Sequence, residues 1–232
     1  MTTRLLPTCV NCAAIVAKAT RVERGKFITV EGIEGVGKST NIGFIREAIE
    51  ARGLRVSTTR EPGGTPMAEE IRGLLLDHGD EPVPNIVELL LMFAARGLHV
   101  NNVIKPALDE GTWVICDRFT DTSRAYQGAG RGFPLSDINR LADWVHGDLQ
   151  PDLTVLLDAP VETGIGRAGQ RGEPDRIETE KADFFARARE CYLSLAAAEP
   201  ERFAVVDANR EKAAVRATID AVINGILNEV LD

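Results

Sequence analysis

Along most of the chain, short β-rich runs alternate with longer stretches whose apolar residues recur at helical spacing. From Lys26, FITVE (27–31) predicts a strand that enters a glycine-rich stretch, and a helical pattern follows through Ala51, with Gly53 placed to end it. LRVSTT (54–59) alternates and is β-branched, which predicts a second strand. Pro62-Gly63-Gly64 predicts a turn, Thr65 a cap, and Met67 to Leu76 a helix. A third helix is expected from about Asn85 towards Glu110, with Ile86, Leu89, Leu90, Phe93, Leu98 and Val103 on its buried face.

TWVIC (112–116) reads as a buried strand entering Asp117-Arg118. A helical stretch follows, then the glycines of QGAGRG (127–132), then a helix from about Ser136 to Val145. DLTVLLD (152–158) and FAVVD (203–207) read as strands, and Val161 to Ala168, Lys181 to Ala198 and Glu211 to Leu231 as helices. Strands that alternate with helices in this way predict a single α/β domain around a mainly parallel sheet.

The chemistry begins directly after the first strand. Gly32-Ile33-Glu34-Gly35-Val36-Gly37-Lys38-Ser39 fits G-x-x-x-x-G-K-[ST], with the strand before it and the helix after it that such a loop requires. Its glycines let successive backbone N–H groups turn towards phosphate oxygens, and the helix adds its positive end. Lys38 supplies a mobile charge for the outer phosphates, and the Ser39 hydroxyl is a candidate Mg²⁺ ligand. Asp117, at the end of an apolar strand, is a second candidate in the metal shell. The N/T-K-x-D pattern of guanine recognition does not occur. Arg60, Arg96, Arg118, Arg131, Arg167, Arg171 and Arg176 are more cations than one nucleotide needs, and they fit a site where two nucleotides meet.

Composition narrows the class. The 232 residues are 44% hydrophobic and 27% charged, with 27 basic against 35 acidic side chains and a net charge of −8. That balance argues against a general nucleic-acid partner, and no uninterrupted apolar run has the length of a membrane span. Four cysteines suit a reducing compartment, and a cytoplasmic setting is expected. The charge is uneven. Residues 1–22 hold Arg4, Lys18 and Arg21 and no acid, whereas 23–232 carry a net of −11. The first segment admits four readings: a targeting peptide, half of a metal site through Cys9 and Cys12, an ordered extra element, or a disordered extension ahead of the true start. The last is the expectation, with Val22 a candidate start, the domain proper beginning near Glu23, and a division into 1–24 and 25–232.

Taken together, the motifs resemble those of the bacterial thymidylate kinases. The phosphate loop with its internal acid Glu34, Arg60-Glu61-Pro62-Gly63-Gly64-Thr65, LLLMFAAR (89–96), Asp117-Arg118-Phe119, Ala125-Tyr126-Gln127-Gly128 and PDLTVLLD (151–158) stand in that family's order, from roughly Gly25 to the C-terminus. The resemblance implies a P-loop nucleoside monophosphate kinase fold, a five-stranded parallel sheet wrapped in helices with a mobile lid, in a homodimer. It implies ATP + dTMP → ADP + dTDP with Mg²⁺. It places Gly32 to Thr40 on the ATP phosphates, with Lys38 catalytic and Ser39 and Asp117 at the metal. Glu34 would face the 3′-hydroxyl of dTMP, Arg60 and Arg118 its phosphate, Arg96 a thymine carbonyl, and Ser123 the base N3 edge. Tyr126 would pack against C2′, and Gln127 is counted with these acceptor-site residues.

Residues 164–176 match the lid, about 164–178, in which Arg171 is the first candidate for the catalytic arginine, with Arg167 and Arg176 as alternatives. The sequence departs from the family at Met92, where an aromatic often stacks on thymine; Phe93 is its neighbour, and either could pack on the base. Two other classes stay open: a kinase of another nucleoside monophosphate, and a P-loop regulatory ATPase with no acceptor site.

Overall fold

The computed structural model describes residues 23–79, 81–170 and 173–231. Residues 1–22, with Cys9, Cys12 and the proposed start, lie outside the described residues, as does Arg171. The chain runs β1 (Phe27–Glu31), α1 (Lys38–Glu50), β2 (Val56–Arg60), α2 (Pro66–Leu76) and α3 (Asn85–His99). A π-helical segment (Val100–Ile104) joins α3 to α4 (Lys105–Asp109), and β3 (Trp113–Asp117) follows. After it come α5 (Thr120–Ser123), a second π-helical segment (Arg124–Gly130), α6 (Leu135–Val145) and β4 (Leu153–Asp158). α7 (Val161–Ala168), α8 (Ala182–Ala198), β5 (Phe203–Asp207) and α9 (Lys212–Leu231) complete it.

The five strands form one parallel sheet in the order β2-β3-β1-β4-β5. β1 is buried along its whole length, and β3 and β4 up to their terminal aspartates, because helices cover both faces; this is why those strands read as continuous apolar runs rather than alternating ones. β1 pairs with β3 on one side and β4 on the other, in a register that sets Val30 beside Asp117 and Glu31 beside Leu156. The C-terminal ends of β1, β2 and β3 therefore deliver Glu31, Arg60 and Asp117 to one rim, where ligands of open parallel sheets bind.

Two expectations need correction. Ile86 and Leu90 are half exposed, not buried: α3 turns Glu88, Leu89, Met92, Phe93, Arg96 and His99 inward instead. The run Asn85–Asp109 is long and apolar enough to match a membrane span, yet its Leu89, Phe93, Val100, Ile104 and Leu108 pack into the domain's own cores. The glycines of QGAGRG do not simply interrupt a helix. Gly128 and Gly130 lie inside the π-helical turn, and a Cβ on Gly130 would come within 2.4 Å of the Phe184 ring of α8. Close helix contact, not turn formation, requires that glycine.

Candidate active site

The phosphate loop curls between β1 and α1. Gly35 has φ +72°, and a Cβ there would lie 1.9 Å from the Gly164 carbonyl oxygen; a Cβ on Gly164 would meet the Glu34 carbonyl at 2.5 Å. The loop thus seats directly on the backbone of α7, which leads into the lid segment. Lys38 turns its ammonium back onto the Gly32 and Ile33 carbonyls at 3.2 and 2.9 Å. Burial, then the nearby positive charge of Arg118, lowers its pKa to about 8.

A cleft beside the loop is lined by Gly37, Lys38, Ser39, Thr40, Asp117 and Arg167. Asp117 also lines a second cleft, with Glu34, Arg60, Met92, Arg118 and Tyr126. The strand-end aspartate is the wall the two clefts share. Its Oδ1 is buried without a hydrogen-bond partner among the described residues, an uncommon state for a carboxylate oxygen.

Arg118 dominates the second cleft. It has a left-handed backbone at φ 70°, a conformation that costs an L-residue about 1–3 kcal/mol. One guanidinium nitrogen donates to the Gly32 carbonyl at 3.0 Å, and the other lies 2.6 Å from Glu34 and 3.2 Å from the Tyr126 hydroxyl. The guanidinium stands over the Tyr126 ring, 4.9 Å from its centre. Tyr126 donates its hydroxyl hydrogen to Glu34, and burial raises its pKa far above the usual phenol range. On the opposite wall Arg60 pairs with Glu69 at 2.7 Å. Glu69 also accepts the Gly64 N–H at 2.8 Å, the main reason its pKa is lowered.

Four sequence candidates sit below this cleft and not in its lining. Arg96 is 2% exposed and donates to Glu61 at 2.7 Å, to the Ser123 hydroxyl at 3.1 Å and to the Phe119 carbonyl at 3.1 Å. Phe93 packs with Leu89, Ile138 and Ala142 and carries the Arg96 guanidinium on its ring. Gln127 is fully buried and donates to Glu88 at 2.9 Å, leaving its Oε1 without a partner among the described residues. Met92, by contrast, reaches the cleft.

The lid candidates separate in the same way. Arg167, in the last turn of α7, donates to the Ala208 carbonyl at 3.0 Å and faces the loop cleft. Arg176 is engaged elsewhere: it donates to the Leu75 carbonyl at 2.7 Å, ending α2, and pairs with Glu88 at 2.7 Å. Glu88 also binds Arg131, which reaches Glu180 as well, so Arg131 is a bridging residue and not a solvated one.

Sequence reading gave Pro62 only as a turn residue and Asp175 and Ile177 only as part of the lid, and it missed Arg72, Leu76 and Thr122 as wall residues. Arg72 donates to the Pro62 carbonyl at 2.8 Å, and burial lowers its pKa. A signal existed for Arg72 and Leu76, which recur at helical spacing on α2, but nothing in the sequence said which face of α2 meets the cleft.

A family model for thymidylate kinase matches residues 30–219. The thymidylate kinase of Methylococcus capsulatus is 55% identical over 203 residues, 88% of this chain and 97% of its own. That of Neisseria gonorrhoeae is 52% identical over 200 residues, 86% and 97% of the two chains. Among solved structures, a thymidylate kinase from Ehrlichia chaffeensis superposes with a TM-score of 0.70 at 32% identity, covering 88% of this chain and 99% of that one.

Proposed function

Because the chain belongs to the thymidylate kinase family and converts dTMP to dTDP, we propose that the two clefts on either side of Asp117 divide the reaction between donor and acceptor. The observation that carries this reading is the shared wall: a phosphate-loop cleft and an arginine-lined cleft meet at one carboxylate. ATP binds with its phosphates on the Gly32–Thr40 backbone and Lys38, and dTMP binds beyond Asp117 with its phosphate against Arg60 and Arg118.

The residues suit magnesium. Asp117 and Ser39 both line the loop cleft and offer hard oxygen donors, the type this ion takes, and among the described residues Asp117 Oδ1 has no hydrogen-bond partner. When bound, the ion neutralises charge on the transferring phosphate. The protein's own part is positioning. Lys38 holds the outer donor phosphates, and Arg118 and Arg60 turn an acceptor phosphate oxygen in line with the γ-phosphorus. That oxygen attacks phosphorus, and the bond to the β–γ bridging oxygen breaks, leaving ADP. The acceptor phosphate is already ionised near neutral pH, so no general base is needed. Arg167, and Arg171 from the lid, complete the charge neutralisation.

Recognition of the acceptor follows the cleft's walls. Glu34 exchanges part of its pairing with Arg118 and Tyr126 for the sugar 3′-hydroxyl. Met92 packs on the base and Tyr126 excludes a 2′-hydroxyl. Arg96 and Ser123, buried behind the lining, address the base edge only once Arg96 exchanges part of its network with Glu61, Ser123 and Phe119 for the base, with Gln127 and Phe93 supporting them. A coupled assay of ADP release over dTMP, dUMP, CMP, AMP and UMP tests the reading. Turnover with dTMP far above the others is expected; slow ATP hydrolysis indifferent to every monophosphate would overturn it.

The same reading includes a homodimer in the cytoplasm. Ile86, Val87 and Leu90 of α3 and Met67 and Leu74 of α2 are exposed apolar residues on adjacent helices, a patch that a second copy would cover. Cys116 and Cys191 are free thiols, in keeping with a reducing compartment.

A further inference from the structure

Among the described residues Arg118 is the only non-glycine with a left-handed backbone. Such a residue persists where its surroundings over-determine it. Behind this one stands Glu31, the last residue of β1 and fully buried. One carboxyl oxygen accepts the Phe119 N–H at 2.7 Å. The other accepts the Thr122 hydroxyl at 2.6 Å and the Tyr192 hydroxyl at 2.8 Å. Those two hydroxyl oxygens lie 2.8 Å from each other, and each is 3.4 Å from the same guanidinium nitrogen of Arg118. A single side chain therefore fixes the peptide that follows Arg118 and both oxygens that flank its guanidinium, without itself reaching the cleft.

We propose that Glu31 is a positioning residue for phosphoryl transfer: through Phe119 N–H, Thr122 and Tyr192 it holds the Asp117–Arg118–Phe119 turn in the conformation that presents Arg118 to the acceptor phosphate. The inference rests on the acceptor-phosphate role given to Arg118 above. A buried carboxyl is costly to keep, and burial, with Asp121 adding to it, raises its pKa to about 7. Either protonation state can serve the turn: the protonated oxygen donates to one of the Thr122 and Tyr192 hydroxyls and still accepts from the other, while the second oxygen accepts from Phe119. Glutamine can do the same, through its carbonyl and its amide hydrogens. Leucine, of similar length, leaves the Phe119 N–H without an acceptor.

The test compares Glu31→Gln, Glu31→Leu, Tyr192→Phe and Arg118→Ala in the full chain. It uses steady-state kinetics with dTMP and ATP, ADP binding by calorimetry and thermal melting. Glu31→Leu is expected to lower kcat about 100-fold, the scale of a misplaced reacting group, while ADP binds within about twofold of wild type. Glu31→Gln is expected to restore kcat to within about fivefold, since it supplies the same acceptor. The proposal fails if folded Glu31→Leu keeps kcat within about threefold, if Glu31→Gln loses as much as Glu31→Leu, or if ADP affinity falls in step with kcat. Should Glu31→Leu not fold, Tyr192→Phe decides: about a tenfold fall in kcat with unchanged ADP affinity supports the proposal, and an unchanged kcat overturns it. Wild-type turnover by Arg118→Ala would instead remove the role of Arg118 itself, a separate failure from that of Glu31.

Discussion

Arg118 and Glu34 are joined at 2.6 Å across the mouth of the acceptor cleft, with their side chains 14% and 13% exposed. In the proposed reading, an acceptor phosphate at Arg118 would share it with the acid of the phosphate loop, so that binding of one substrate would be felt at the loop that holds the other. The Tyr126 hydroxyl bridges the same two residues.

Replacement of Arg118 by alanine is therefore expected to lower kcat by roughly 100- to 1000-fold, the scale of losing one preorganised donor at a developing charge. Arg118→Lys should recover little of it. An ammonium cannot reach Gly32, Glu34 and the acceptor at once as the guanidinium fork does. Steady-state kinetics of both variants check this, and a lysine variant near wild type would contradict it.

Met92 and Phe93, both in hydrophobic cores, should separate in kinetics rather than in stability. Met92→Ala is expected to raise the KM for dTMP with little change in that for ATP, because Met92 lines the proposed acceptor cleft, and also to cost about 2–5 kcal/mol of stability, because it belongs to the main core. Phe93→Ala removes a ring packed among Leu89, Ile138 and Ala142, and should cost about 3–5 kcal/mol of stability. Kinetics and denaturant titration of the pair provide the comparison.

The lowered pKa of Lys38, about 8, gives a pH signature. The ammonium form binds phosphate, so kcat/KM for ATP should be full below that value and fall as pH rises through it, because kcat/KM reports ionisations of the free enzyme. Bound nucleotide favours the charged lysine, so kcat itself should hold to higher pH. A kcat/KM for ATP that stays flat from pH 7 to about 9.5 would refute the assignment.

Gly164→Ala tests the seat of the phosphate loop. Its Cβ would fall 2.5 Å from the Glu34 carbonyl, so either the loop or α7 must shift. The expected outcome is a rise in the ATP KM with a stability loss of roughly 1–3 kcal/mol. Gly166→Ala, where a Cβ meets nothing within 4 Å, is the control and should match wild type.

Much of this protein was legible in the linear chain. Parallel strands buried on both faces produce apolar runs such as TVLL in β4, and the phosphate loop declares itself because local backbone geometry dictates its glycines. Local rules also placed Asp117 and Arg118 at a strand end, and hence on the rim where β1, β2 and β3 finish together.

What the chain alone left open was direction. Met92 and Phe93 are neighbours with equal claims until the packing of α3 lets Met92, though in the main core, reach the cleft and turns Phe93 into a separate core against α6. Arg96, Arg118, Arg131 and Arg176 are alike as letters. Which of them faces a substrate, spans two acids or ends a helix is settled by carboxylates far away in sequence, Glu34, Glu61 and Glu88. The charge that first spoke only against a polyanion partner is likewise decided locally, because contacts between distant residues set the potential at the site. The sequence determined the sheet, the loop and the residues available; the tertiary structure alone decided which of them share a cleft, because side-chain direction follows from long-range packing and not from spacing.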